Sequence, residues 1–394
     1  MFMPVAILAI LMHAASTAEL QQPVAASFVT TLGHDTIAVE TYHRNGTRLD
    51  GDIVLRAPQT VRYHYAVTMR PDGTVARAVT DFSIPANANA PRNRTTITFA
   101  KDSATVDVDT AGIIGTVKRS APYGTAPELM SGFASDYGLY ISLGLYEPII
   151  ARLKTPIGDT TRVPIIGAVG GQRDTKFLVR RSPALVDVDY FKSPLWTHLA
   201  VNSAGVIDGA DATQTTEKTR SVRTGPINID SVAKDFLRRD HAGKAFGVSS
   251  PAAIARGKIG DATVTINYNS PRKRGREILG ATVPYDQVWR TGADAATVLT
   301  TDHAITIGGH QLAAGKYTLW TKPSRTGALL VINAQVGQWG TDYDSGKDIV
   351  RLPMKAERVP TAENFAITVS GSGNKGELQM AWDDFRWSIP VSAP

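Results

Sequence analysis

The stretch VRYHYAVTMRPDGTVARAVTDF, residues 61–82, decides the class of fold. It reads as two strands, Val61 to Met69 and Thr74 to Phe82, reversed at Pro71-Asp72-Gly73, where proline pre-sets φ and glycine accepts a left-handed turn position. The same punctuation continues on both sides. Ile37 and Val39, then Ile53 and Leu55, alternate with polar neighbours around Asn45-Gly46, a strong signal for a two-residue hairpin. Downstream, Ala86 to Arg94 reads as a loop, with strands around Thr95 to Phe99 and Ala104 to Val108.

The period then changes. Thr125 and Glu128 have capping-box spacing, and Met130, Phe133, Tyr137, Tyr140 and Ile141 recur at three and four, predicting one helix that Pro148 ends. Strands resume at Val163 to Ile166, Lys176 to Arg180, Leu185 to Tyr190 and Leu195 to Val201, and Thr215 to Arg223 alternates hydroxyl and charged residues. This antiparallel meander with a crossing helix is loosely similar in shape to lipoprotein-carrier half-barrels, a topological likeness without functional weight. No repeat of constant period is present.

Ser231 is the expected cap of a short helix through Arg239, and residues 241–257, with Gly243, Gly247, Ser249, Ser250 and Pro251, read as a linker. The expected organisation is therefore a β domain over residues 28–240 and a second domain over 258–394. Beyond the linker the strands are short and regularly punctuated, the pattern of a β-sandwich. Tyr317, Leu319 and Thr321 are predicted on one face of a strand, against Thr318 and Trp320 on the other.

Composition bounds the function. A net charge of +6 over 394 residues is too dilute for nucleic acid, which needs basic side chains concentrated on one face. The densest run, Arg272-Lys273-Arg274-Gly275-Arg276, reads as a solvated loop. With no cysteine there is no disulfide and no thiolate chemistry. Phe2 to Leu11 is an apolar run followed by Ser16-Thr17-Ala18, the layout of a signal peptide over residues 1–18, although a basic n-region is missing. This run is shorter than the ~20 residues a membrane span needs, so the expectation is a periplasmic or secreted protein with no transmembrane segment after signal removal.

One passage resembles a known family. Val283-Pro284-Tyr285-Asp286-Gln287-Val288-Trp289-Arg290-Thr291-Gly292-Ala293 is similar to the signature of bacterial domain-of-unknown-function family 2911. Three further pieces match it in order: Ser270-Pro271 with Arg274-Gly275-Arg276, Ala314 to Leu319, and Gln338-Trp339-Gly340. The resemblance covers about residues 258–394 and implies a compact β-rich domain of exported bacterial proteins, with no catalytic residues to carry over. Asp294 departs from it, standing where the family has asparagine.

Arg274, Arg276, Trp289, Arg290, Asp294, Trp320, Trp339, Tyr343 and Asp344 form the expected ligand wall. Guanidinium groups grip carboxylates and phosphates, and indole and phenol faces stack on sugars, which suits a polar or anionic small molecule or glycan. No nucleophile elbow, zinc motif or phosphate loop is present, no spacing implies a metal, and no cofactor is expected. The favoured function is an exported non-catalytic binding protein. The alternative is a hydrolase or isomerase of unfamiliar type, in which Arg290 stabilises an anion and Asp294 or Asp344 is the base.

Overall fold

The computed structural model describes residues 23–56, 58–86, 93–100, 103–110, 117–122, 129–131, 142–152, 155–167, 173–189 and 195–394. The chain is mainly β, with two open sheets, antiparallel except for the pairing of residues 129–131 with residues 165–167, in two compact units that divide between Gly247 and Val248. The proposed signal sequence lies outside the described residues. So does most of the helix predicted from Thr125, where residues 129–131 are a short strand instead. Among the described residues no helix is long and apolar enough to cross a membrane.

In the first unit, one meander comprises β1 (Val24–Leu32), β2 (Asp35–Asn45), β3 (Arg48–Leu55), β4 (Val61–Met69), β5 (Val75–Ser83), β6 (Asn93–Phe99), β7 (Ser103–Thr110) and β8 (Val117–Pro122). A second comprises β9 (Leu129–Ser131), β10 (Thr160–Gly167), β11 (Arg173–Ser182), β12 (Leu185–Asp189), β13 (Trp196–Val201), β14 (Ile207–Asp211) and β15 (Thr219–Thr224). Pairing of β1 with β15 joins these two wings into one sheet whose edges are β8 and β9. A single buried cluster takes Ile97, Phe99 and Val106 from one wing and Val163, Leu178 and Leu199 from the other. Only a curled sheet brings such distant strands to one interior.

Helix α1 (Leu143–Arg152) packs into that interior with Leu143, Leu145, Ile149 and Ile150 buried. Pro148 does not end it as expected. The helix continues for a turn beyond the proline, losing one backbone hydrogen bond while Ile149 and Ile150 gain apolar burial. Helix α2 (Ile229–Arg239) lies on the opposite face, with Ile229, Ala233 and Phe236 against Val39 and Val54. Its cap is Asn228, whose side chain accepts the Ser231 amide, so Ser231 lies inside the first turn.

The two wings carry the same row on the face bearing α2. Asp52 on β3, His64 on β4, Asp81 on β5 and Arg94 on β6 are direct cross-strand partners. Asp187 on β12, His198 on β13, Asp211 on β14 and Arg220 on β15 stand in the same order and the same register. Each histidine meets its first aspartate through Nδ1, at 3.3 Å for His64–Asp52 and 2.6 Å for His198–Asp187. His43 on β2 and His64 on β4 are separated by β3.

The second unit contains β16 (Ala252–Ile259), β17 (Ala262–Asn269), β18 (Thr297–Thr301), β19 (Ile305–Ile307), β20 (His310–Leu312), β21 (Gly315–Pro323), β22 (Ala328–Asn333), β23 (Asp348–Ser372) and β24 (Lys375–Ser392). Residues 252–257, expected as linker, are thus the start of a strand, paired with β17. Several predicted short strands also merge: β23 pairs with β22 through its first part and with β24 through the rest. Register shifts at Arg358, Ala362 and Ala366 bend this long hairpin, so that one strand serves both layers of the sandwich. Asp383 and Asp384 sit at that bulge, with Asp383 in the left-handed region at φ 51°.

Candidate functional site

The nine signature residues take part in three structural settings in the second unit. The first is the arginine-rich segment, which is not the solvated loop its charge suggested. It lies along the bulged part of β23: Phe365 N–H donates to Pro271 O at 2.9 Å, and Lys273 N–H to Glu363 O at 2.7 Å. Arg274 is 7% exposed, in the left-handed region at φ 48°, and its amide donates to Glu363 Oε1 at 2.8 Å. Arg276 Nε donates to Lys273 O at 3.0 Å, and a second guanidinium nitrogen to Arg272 O. Burial pushes the Arg276 guanidinium down to about 10, the Arg274 charge pushes the same way, and Glu363 opposes both. Trp289 stands beside this segment, its ring 5.1 Å from Phe365 and stacked at 6.0 Å on Trp382, whose Nε1 donates to Glu363 O.

The second place is a clasp between two loops. Ala295 and Trp339 form a β-bridge, and Gly340 N–H donates to Asp294 O at 2.9 Å. The Arg290 side chain runs across Gly340 so closely that a Cβ there would lie 1.9 Å from its Cδ. Partial burial lifts the Asp294 carboxyl above its ordinary range, and the Arg290 guanidinium pulls against it. Trp339 leaves half its surface in solvent.

The third place is the outer face of β21. Trp320 is buried with Ala296 and Val331 and meets the Tyr343 ring at 4.8 Å, whereas Leu319 faces the main core, as the alternation predicted. Tyr343 donates to Asp348 Oδ2 at 2.6 Å; burial first, then this carboxylate, pushes the phenol up to about 12. Asp344 caps a short 3₁₀ turn through Gly346 N–H, and its peptide oxygen accepts Asn333 Nδ2.

The first unit holds a site that the sequence reading did not identify. Glu40, Tyr42 and Arg44 occupy alternate positions on β2 and face α1. Glu40 Oε1 accepts Tyr65 OH at 2.6 Å and Ser142 Oγ at 2.7 Å, while Oε2 accepts the first amides of α1, Leu143 at 2.8 Å and Gly144 at 3.3 Å. Its carboxyl thus caps α1 from another strand. Burial pushes it up to about 7, against the pull of those four donors. One turn on, Glu147 accepts Tyr42 OH at 2.7 Å, Ile207 N–H at 3.0 Å and Arg223 Nη1 at 2.6 Å, with Arg44 at 3.9 Å. Gly144 permits the approach, since a Cβ there would sit 2.9 Å from both Tyr42 and Tyr65. A readable signal existed, namely three polar side chains at i, i+2 and i+4 of a strand within an apolar meander.

Among the described residues no group of three histidine, aspartate or glutamate side chains has the geometry of a metal site. The resemblance seen in the signature holds: residues 250–391 match the model of a family described as a protein of unknown function, DUF2911. The first unit lies outside that match. No curated protein matches the chain. Among solved structures, a DUF1089 family protein from Pseudomonas aeruginosa is similar at 9% identity, over 45% of this chain and 90% of that one, with a TM-score of 0.34.

Proposed function

We propose that the protein is an exported, non-catalytic binding protein whose second unit takes a polar or anionic small molecule or glycan along the Arg272–Arg276 segment. The observation that carries this reading is the crowding of Arg274 and Arg276 in one partly desolvated place, where burial first and the Arg274 charge second weigh against the Arg276 guanidinium, which stays protonated at neutral pH. A carboxylate, sulfate or phosphate arriving there relieves that repulsion and gains charge-assisted hydrogen bonds. Trp289, at the end of the Phe365–Trp382 aromatic group, supplies a face for a ring beside the cations. Export rests on the apolar N-terminal run and the small residues that end at Ala18.

Thermal shift of the full chain against phosphate, sulfate and glucuronate tests the binding reading. The melting temperature should rise with at least one anion, and Arg276→Gln should abolish the rise while leaving the unliganded transition in place. Absence of any anion-dependent shift at low salt overturns the proposal. Cell fractionation with N-terminal sequencing tests export, the expected new terminus following Ala18.

A further inference from the structure

Beneath α1, among the described residues, two arginines are ion-paired with a single carboxylate. Arg44 is 3% exposed, and among the described residues its Nε and Nη1 make no hydrogen bond. Its ionic neighbour is Glu147, 3.9 Å away. That carboxylate is already engaged by Tyr42, Ile207 and Arg223, so the buried Arg44 and the partly exposed Arg223 share one anion. Glu40 forms no ion pair with either arginine among the described residues; its oxygens accept Tyr65, Ser142 and the first two amides of α1. A guanidinium kept from water without hydrogen bonds is costly, and an anion is what would offset that cost.

The present tenant indicates the chemistry of the occupant. Glu147 belongs to α1, whose other inward side chains include Leu143, Leu145, Tyr146, Ile149 and Ile150. The helix therefore offers the arginines a carboxylate set in an apolar surface. It is short, with ten residues, and Pro148 removes one of its hydrogen bonds, so its place depends on tertiary contacts more than on its own helical stability. We propose that α1 occupies a binding site for an amphiphilic anion, and yields it when the ligand's head group takes Arg44 and Arg223 in place of Glu147. The head is a carboxylate or phosphate monoester; the alkyl chain takes the apolar wall that α1 covers. This site is separate from the arginine-rich segment of the second unit.

Calorimetric titration of the full chain with decanoate, decyl phosphate, decanol and inorganic phosphate decides the matter, with amide exchange of α1 as a second readout. Decanoate or decyl phosphate should bind at least about tenfold more tightly than decanol or inorganic phosphate, and the preferred one of the two identifies the head group. Amides of α1 should lose protection on binding. Glu147→Gln, which removes the competing carboxylate, should tighten binding at least about threefold, and Arg44→Met should weaken it about tenfold or more. Arg276→Gln should change nothing here, which keeps failure of this site distinct from failure of the other. Equal binding of decanol, unchanged affinity in Glu147→Gln or undiminished α1 protection overturns the proposal. Should Arg44→Met not fold, the Glu147→Gln and exchange results still decide.

Discussion

The two wings of the first unit agree on one face and differ on the other. On the face bearing α2 both carry Asp–His–Asp–Arg in register across four strands. Using those rows as the frame, inner positions can be matched. Glu40 pairs with Ile53, one residue after Asp52, as Leu178 pairs with Val188, one residue after Asp187. Tyr65 and Leu199 each follow their histidine. One wing thus places Glu40 and Tyr65 where the other places two leucines of the common core. A framework kept twice on one face, with a polar replacement made once on the other, marks the inner face of the first wing as the specialised surface.

The largest test of that contrast is Glu147→Leu. It leaves the buried Arg44 and the partly exposed Arg223 beside α1 without their carboxylate, and removing one member of a buried ion pair costs about 3–5 kcal/mol. Urea unfolding should report that loss, with α1 amides exchanging first. Leu178→Ala, a cavity in the apolar wing, should cost about 2–5 kcal/mol without exposing α1 selectively. If α1 opens equally in both variants, the inner faces are not functionally distinct.

Glu40 gives the contrast a pH dependence. Its carboxyl is raised from the ordinary 4.5 to about 7 in the folded chain, so between those values the native state holds a proton that the unfolded state has released. Stability is therefore greatest below pH ~4.5 as far as this group is concerned, falls as pH rises through that window, and is flat above it. The full span is on the order of 3 kcal/mol. Glu40→Gln should remove this slope from a plot of unfolding free energy against pH. A slope that survives the substitution belongs to another group.

How much of this could be read beforehand depended on the kind of signal. Strands bounded by Asn45-Gly46 and Pro71-Asp72-Gly73 were legible because turn chemistry is local. The β23–β24 hairpin was not, because bulges at Ala362 and Asp383 look like turns in sequence while pairing continues across them. Repetition of the charged row was hidden for a related reason. The offset between equivalent residues drifts from 135 (Asp52 to Asp187) to 126 (Arg94 to Arg220), since the connecting loops differ while the strand register does not. The signature residues were legible singly but their contacts were not: Arg290 and Gly340 are close because of a clasp, and Trp289 packs on the main core whereas Trp320 belongs to a separate cluster, relations that spacing alone does not encode.

The clasp itself is testable, with a smaller effect. Gly340→Ala places a methyl group against Arg290 Cδ and within 2.4 Å of Asp294 O. Backbone cannot retreat as a side-chain end can, so overpacking should cost about 1–3 kcal/mol and loosen the exchange protection of the bridge between Ala295 and Trp339. A loss confined to the second unit would show that the signature serves that unit's own packing, whatever ligand the neighbouring arginines take.

The smallest effect bears on whether the two rows are equivalent. Arg94 and Arg220 are each 60% exposed at the side chain, and their aspartate partners, Asp81 and Asp211, keep 32% and 36% of theirs in solvent. Exposed cross-strand pairs of this kind contribute about 0.2–1 kcal/mol, less at high salt, because water screens the attraction and two long side chains must be held in place. Arg94→Ala and Arg220→Ala should therefore each cost at most that much, and by similar amounts at low salt. The deeper members should differ. Asp187, 4% exposed and held by both Arg181 and His198, loses more on change to asparagine than Asp52, which is 20% exposed. Equal costs at the arginines with unequal costs at the aspartates would mean that register is shared between the wings while burial is not. Unequal arginines would mean that the shared order of residues does not carry shared energetics.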